Sequence, residues 1–395
     1  MQEIAGLNQP LFDGIQMKNL RKTIVARIAC LAFVCVLLQQ CVVADPLFPD
    51  MEVWKNTDFS KTSIELAEVI EGGAGKDGIP SIDQPNFVSV EQAAAWLDAR
   101  EPVIVFTHHG VTRAYPLQIL MYHEIVNDQL DDLEISITYC PLCNAAMVFS
   151  RRLEGQLLDF GTSGKVYANN LVMYDRQSDS WWLQFTGEAV VGRYIGEELK
   201  LLPSQIVSFE QFKSAYPEGE VLSRETGFDK KYGINPYVHY DSRDLPVAWF
   251  FRKPYDNRLP AMQRVLGVVS AEHVVAFPLS GLNSHPVLQT MIGNLNVLVI
   301  SQAGMASAVD ESRIHESHDV LSAAVYSHEV DGRVLDFEFF DNEIIDTQTR
   351  SRWNMFGLAT VGELAGTQLT KVDRGVYFSF AWLNFYPNSI IIINN

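Results

Sequence analysis

Two cysteines separated by a proline and a leucine, Cys140-Pro-Leu-Cys143, are the residues of this 395-residue chain best suited to chemistry. Their spacing lets two thiolates grip one metal ion, close a small disulfide ring or act as a redox couple. For a metal, the pair is half a site. The nearest further ligand is His123 in Tyr122-His-Glu-Ile-Val-Asn-Asp128, with Glu124, Asp128, His108 and His109 behind it. Two cysteines with a histidine suit zinc or copper, and Met147 or Met173 adds a soft ligand favouring Cu(I). Cys140, Cys143 and His123 are therefore the expected metal-ligating or catalytic residues, His123 serving as third ligand or proton carrier. A thioredoxin-like arrangement would start a helix at the second cysteine, whose dipole lowers the thiolate pKa. Here Asn144-Ala-Ala-Met-Val-Phe-Ser150 runs instead into a strand and hairpin. Metal binding, thiol exchange and a structural disulfide all stay open on these residues.

Other polar motifs read as structure first. Phe160-Gly-Thr-Ser-Gly-Lys165 is small and polar but lacks phosphate-loop spacing, and is expected to be a turn. Asp77-Gly-Ile-Pro-Ser-Ile-Asp83 signals a tight turn. His108-His109 are expected at an exposed turn between two strands.

The elements that must position the cysteines are mostly strands. Pro102 to Thr107, Glu134 to Tyr139, Met147 to Leu153 and Gln156 to Phe160 are short, β-branched or aromatic, and bounded by turn residues. Glu154-Gly155 and Asp331-Gly332 predict two-residue hairpin turns. Helices are expected over Val90 to Asp98, Pro116 to Val126 and Phe209 to Ala215, the second opened by a proline suited to a first turn. Arg224 to Leu259 lacks periodicity.

Self-comparison organises the chain. Arg113-Ala-Tyr-Pro-Leu117 matches Val275-Ala-Phe-Pro-Leu279, and Leu133 to Tyr139 matches Leu295 to Ser301. Glu154-Gly155 matches Asp331-Gly332. Asp175 with Trp182 matches Asp346 with Trp353, and Ser208-Phe209 through Tyr216-Pro217 matches Ser379-Phe380 through Tyr386-Pro387. The order is collinear. The fold expected is therefore α+β and β-rich, a tandem duplication of one mostly antiparallel β unit with a few short helices. The expected boundaries are 45–101 for an N-terminal extension packed on the first unit, 102–223 for that unit, 224–264 for a connection and 265–395 for a degenerate second unit. Cys140 falls on Gln302, Cys143 on Met305 and His123 on His285. The first unit is thus read as the working one. An acidic, His-containing insertion, Val309 to Asp319, belongs to the second alone.

The first 44 residues have the order of a secretory signal: a basic patch (Lys18, Arg21, Lys22, Arg27), an apolar run from Ile28 to Leu38 and a small residue at Ala44. Met17 is an alternative start, and an uncleaved anchor or a lipid on Cys41 are alternative fates. The protein is expected to be exported, periplasmic or extracellular, with membrane attachment possible at that segment. The whole chain carries 30 basic and 48 acidic residues, a net charge of −18. Removing residues 1–44 takes four basic and two acidic side chains, leaving 26 against 46. Nucleic acid is excluded as a partner on this balance. Cys30, Cys35 and Cys41 lie in the signal, so Cys140 and Cys143 are the only mature cysteines, too few for a disulfide framework.

Thr138-Tyr-Cys-Pro-Leu-Cys-Asn144, Phe160-Gly-Thr-Ser-Gly164, Leu171-Val-Met-Tyr-Asp175 and Trp181-Trp182 resemble the DUF3179 family, a domain of unknown function in exported bacterial and archaeal proteins. The resemblance runs from about Asn56 to the end and takes in Lys76-Asp-Gly-Ile-Pro80, Arg113-Ala-Tyr-Pro116 and His123-Glu-Ile-Val-Asn-Asp128. It implies no established activity. It supports the architecture and the choice of Cys140, Cys143 and His123. Tyr237-Val-His-Tyr240 adds His239 to the connection. The expected partner is a metal or an unidentified small molecule. The rival reading is a non-catalytic extracytoplasmic binding protein with Cys140 and Cys143 as a structural disulfide.

Overall fold

The computed structural model describes residues 52–247, 254–270, 272–283 and 285–393. The expected signal, residues 1–44, lies outside them. Among the described residues no helix is long and apolar enough to cross a membrane.

The chain from Glu52 onward forms one compact unit of mostly antiparallel sheets with four short α-helices among the described residues. In the first half, Pro102–His108 pairs with Val111–Pro116 on one side and Gln205–Ser208 on the other, and Glu220–Leu222 joins Val111–Pro116 in parallel. A second sheet orders Leu201–Leu202, Ala145–Ser150, Leu133–Cys140 and Ile125–Leu130. A third runs Phe160–Tyr167, Asn170–Asp175, Trp181–Leu183 and Ala189–Val191. The second half repeats this order. Arg264–Val269 lies between Val274–Pro278 and Asp373–Phe378, with Ile390–Ile391 parallel to Val274–Pro278. Thr370–Lys371, Asp319–Ser327, Leu295–Ala306 and Val287–Ile292 form its second sheet. Phe337–Phe340, Glu343–Asp346, Arg352–Trp353 and Ala359–Val361 form its third.

Local chemistry explains the turns. Glu154-Gly155 and Asp331-Gly332 have positive φ at both residues, which two-residue hairpins need to match the strand twist. Ser208 caps the helix Phe209–Ala215 through a capping box with Gln211. In the second half, Phe378 holds the cap position of the helix Ser379–Phe385 and gives no side-chain bond. Backbone bonds from Phe209 N to Glu101 O and from Ser379 N to Gln263 O fix this correspondence, one residue away from the match suggested by the Ser-Phe pairs.

Three expected elements differ. The helix expected over Val90 to Asp98 covers only Val90–Ala93 and gives way to turns. The segment 116–126 is not a helix throughout. It makes one turn, Leu117–Leu120, and then enters the strand Ile125–Leu130. Val126, Asp128 and Leu130 are buried along with Ile125 and Asn127, so the strand shows no alternation to betray it. Phe160 to Lys165 is likewise a strand with a bulge between Thr162 and Lys165, not a turn. A Cβ on Gly164, where φ is +73°, would come within 2.3 Å of Gly75 O, so glycine there serves a crossing of the extension.

The halves interlock. One core cluster joins Tyr115, Tyr139 and Trp182 to Tyr377 and Trp382. Another joins Val103, Val207 and Phe212 to Leu298, Tyr326 and Trp353. The extension seals a third, where Trp54 packs edge-on against Tyr174 and Trp181.

Candidate functional site

Cys140 ends the strand Leu133–Cys140 and pairs with Ala145 of the next strand, so the two cysteines flank the turn that joins them. Cys143 N bonds Cys140 O at 3.2 Å, and Asn144 closes the turn with φ +53°. The second half holds the turn from below: Phe378 N donates to Cys143 O at 2.9 Å and Asn144 Nδ2 to Val376 O at 3.1 Å.

A neighbouring hairpin delivers polar groups to the sulfurs. Ala168 and Asn169 both have positive φ, a turn that aims Asn169 O at the pair, 3.1 Å from Cys143 Sγ and 3.9 Å from Cys140 Sγ. A carbonyl only accepts, so it favours the protonated form of the nearer thiol, Cys143. Asn170 Nδ2 lies 3.7 Å from Cys143 Sγ and is held by Gln184, which in turn donates to Thr138 Oγ1 and Ala145 O. From the connecting segment, Tyr240 covers the turn, its hydroxyl bonding Leu142 O at 3.0 Å and accepting from Asn169 Nδ2 at 3.2 Å.

Both cysteines are unbridged and buried, yet their environments differ. Burial pushes the Cys140 thiol up, but hydrogen bonds from the Cys143 thiol and from the N–H groups of Leu171, Cys143 and Leu142 outweigh it, leaving Cys140 below its ordinary value. Burial, the bond to Cys140 and the charge of Cys140 together hold Cys143 well above its own. The two thiols are biased in opposite directions, Cys140 towards thiolate and Cys143 towards thiol.

Glu124 completes the site. It sits at φ +57°, between the turn after Leu117–Leu120 and the strand Ile125–Leu130, where its carbonyl accepts from Tyr139 N at 2.8 Å. Its carboxyl is buried, and burial followed by the negative charge of Cys140 raises its pKa well above the ordinary range. Glu124 in turn adds to the rise at Cys143 and at Tyr237, so the four groups share one electrostatic enclosure. By residue type Glu124 stands only behind His123; no local pattern announces a side chain turned by a left-handed residue.

His123 faces elsewhere. Its buried ring has Nδ1 2.7 Å from Pro80 O and Nε2 2.5 Å from the Tyr232 hydroxyl. Because a carbonyl cannot donate, Nδ1 carries the proton and Nε2 accepts from Tyr232, which leaves no free lone pair for a metal. Burial lowers its pKa. Among the described residues, groups of three ligand atoms within 4.8 Å of one another include neither cysteine nor His123. Met147 Sδ accepts from Tyr377 OH, and Asp128 accepts from Arg113 and Tyr115. His108 and His109 stack at an exposed turn beside Asp132 and Asp131. His239 lies 3.6 Å from Asp310 of the insertion. Asp77 accepts from Tyr174, and Asp83 from Asn127 and Arg176, so both carboxylates pin the extension.

Over residues 76–389 the chain matches the family described as "Protein of unknown function (DUF3179)", and it belongs to that family. No curated protein and no solved structure matches it.

Proposed function

We propose that this DUF3179 protein carries out thiol–disulfide exchange in an extracytoplasmic compartment, with Cys140 attacking, Cys143 resolving and Glu124 moving the proton. The observation that carries the reading is the opposite bias of two adjacent thiols beside a buried carboxyl.

The Cys140 thiolate attacks one sulfur of a partner disulfide. The partner S–S bond breaks, a mixed disulfide forms on Cys140, and the departing partner sulfur takes the proton of Glu124. Cys143 then gives its proton to the Glu124 carboxylate and attacks Cys140 Sγ. The second partner sulfur leaves as a thiolate and is protonated by the medium, matching the proton Cys140 released at the start. The protein dithiol loses two electrons and the partner disulfide gains two. Tyr237 and Tyr240 cover the pair, so exchange requires the segment 232–241 to lift.

The metal reading has less support, because both ring nitrogens of His123 are engaged and, among the described residues, the two sulfurs form no cluster with a His, Asp or Glu ligand atom within 4.8 Å. The test is trapping with oxidised glutathione. Cys143→Ser should accumulate a mixed disulfide on Cys140, Cys140→Ser should accumulate none, and the parent protein should pass to an internal disulfide. A parent protein that stays a dithiol and a Cys143→Ser protein that traps nothing would leave a structural pair in a binding protein as the better account.

A further inference from the structure

We infer that a cleft between 94–101, Tyr232–Ile234 and the second-half insertion binds a small organic anion bearing a carboxylate or phosphate, gripped by Arg224, Arg313 and His315. The inference is independent of the thiol reading.

The cleft has a volume of about 410 Å³ and is walled by all three segments. On a chain of net charge −18, Arg224, Arg313 and His315 converge on one cleft, alongside Asp98 and Glu101. Arg224 is the innermost. Its Nε and Nη2 donate to Gln118 Oε1 at 2.8 and 2.5 Å, Nη2 also donates to Trp96 O at 3.1 Å, and the guanidinium lies over the Trp96 ring at 4.7 Å. These hydrogen-bond partners are neutral, so the guanidinium is fixed without a direct carboxylate bond, although the charge of Glu101 acts on it from nearby. Arg313 and His315 stand at the mouth, where the exposed Glu316 lies 3.6 Å from Arg313 and 3.9 Å from His315. Ala94, Ala95, Leu97 and the exposed Ile234 give apolar wall for a carbon skeleton.

Two carboxylates belong to the lining, Asp98 and Glu101. Asp98 is bonded to Arg100 N. Glu101 is buried beneath the cleft and accepts from Gln118 Nε2 at 2.6 Å; burial raises its pKa to about 7, so near neutrality it carries only part of a charge. The network is particular to the first half. At the equivalent positions the second half has Gln263 donating to Ser280 at 2.6 Å, an uncharged pair that holds the same turn. Holding the turn therefore does not require Glu101, Gln118 and Arg224. A buried polar network under a cleft, with a titrating group and convergent donors, is the pattern of a binding site.

The test is titration of the folded protein with inorganic phosphate and with citrate, read by calorimetry and by the fluorescence change that Trp96→Phe removes. Saturable binding is expected, and Arg313→Gln with His315→Gln, at an exposed and a half-buried position, should weaken it about tenfold or more with unchanged melting temperature. Citrate binding tighter than phosphate marks an organic acid as the ligand class, and the reverse marks a phosphate. No saturation by either anion, or binding that the double substitution leaves unchanged, overturns the inference.

Discussion

The two halves share a strand order and differ at the places where chemistry is possible. Trp182 Nε1 donates to Asp175 Oδ2 at 2.9 Å, and Trp353 Nε1 to Asp346 Oδ2 at 3.1 Å. That pair is scaffold. The strand that ends at Cys140 in the first half continues through Gln302 and Met305 to Ala306 in the second, with a bulge where the Cys-x-x-Cys turn would be. Glu124, at φ +57°, is answered by Pro286, whose carbonyl accepts from Ser301 just as Glu124 O accepts from Tyr139. Proline cannot adopt that positive φ, so the second half could not turn a carboxyl inward there even with its cysteines restored. The buried His123 is answered by an exposed His285. The architecture stands without thiols, carboxyl or buried histidine. Their presence in one half only is a reason to look for function there.

The comparison predicts equal costs at shared positions. Trp182→Ala and Trp353→Ala should each lower unfolding free energy by about 3–5 kcal/mol in urea. A cost confined to one half would break the equivalence. Glu101→Gln makes the first half resemble the second. The folded pKa of Glu101, about 7, lies above its ordinary 4.5, so the folded state holds the proton longer and stability falls as pH rises from about 4.5 to 7. The substitution should remove a pH-dependent loss on the order of 3 kcal/mol, seen in unfolding curves across that window. Glu124→Gln keeps the shape but cannot carry a proton. Release of the trapped partner by Cys143 should slow by about 10- to 100-fold, with the loss changing across pH as a merely structural role would not. Smallest is Ser208→Ala, which strips the capping box the second half never had and should cost about 1 kcal/mol.

Much of the scaffold was legible because hairpins declare themselves locally. Glu154-Gly155 and the β-rich runs around it needed no distant information, and neither did the Cys-x-x-Cys turn at a strand end. The misread segment 116–126 failed for the opposite reason, since a strand buried on both faces carries no period and the preceding Leu-Gln-Ile-Leu turn resembles the start of a longer helix. His123 was singled out by residue type, but its ring direction depends on the backbone at Glu124 and on Pro80 and Tyr232, far away in sequence. Phe160-Gly-Thr-Ser-Gly-Lys165 looked like a turn because its glycine content answers to the extension crossing at Gly75. Long-range contacts, not local pattern, made the difference in each case.

The central claim, that the first half holds one activated and one protonated thiol, is tested most directly by alkylating the folded full-length protein across pH and mapping the modified cysteine by mass spectrometry. The account predicts modification of Cys140 at pH values below those an ordinary thiol needs, with Cys143 untouched until Cys140 is blocked. Equal reactivity of the two, or none until the protein unfolds, would contradict it.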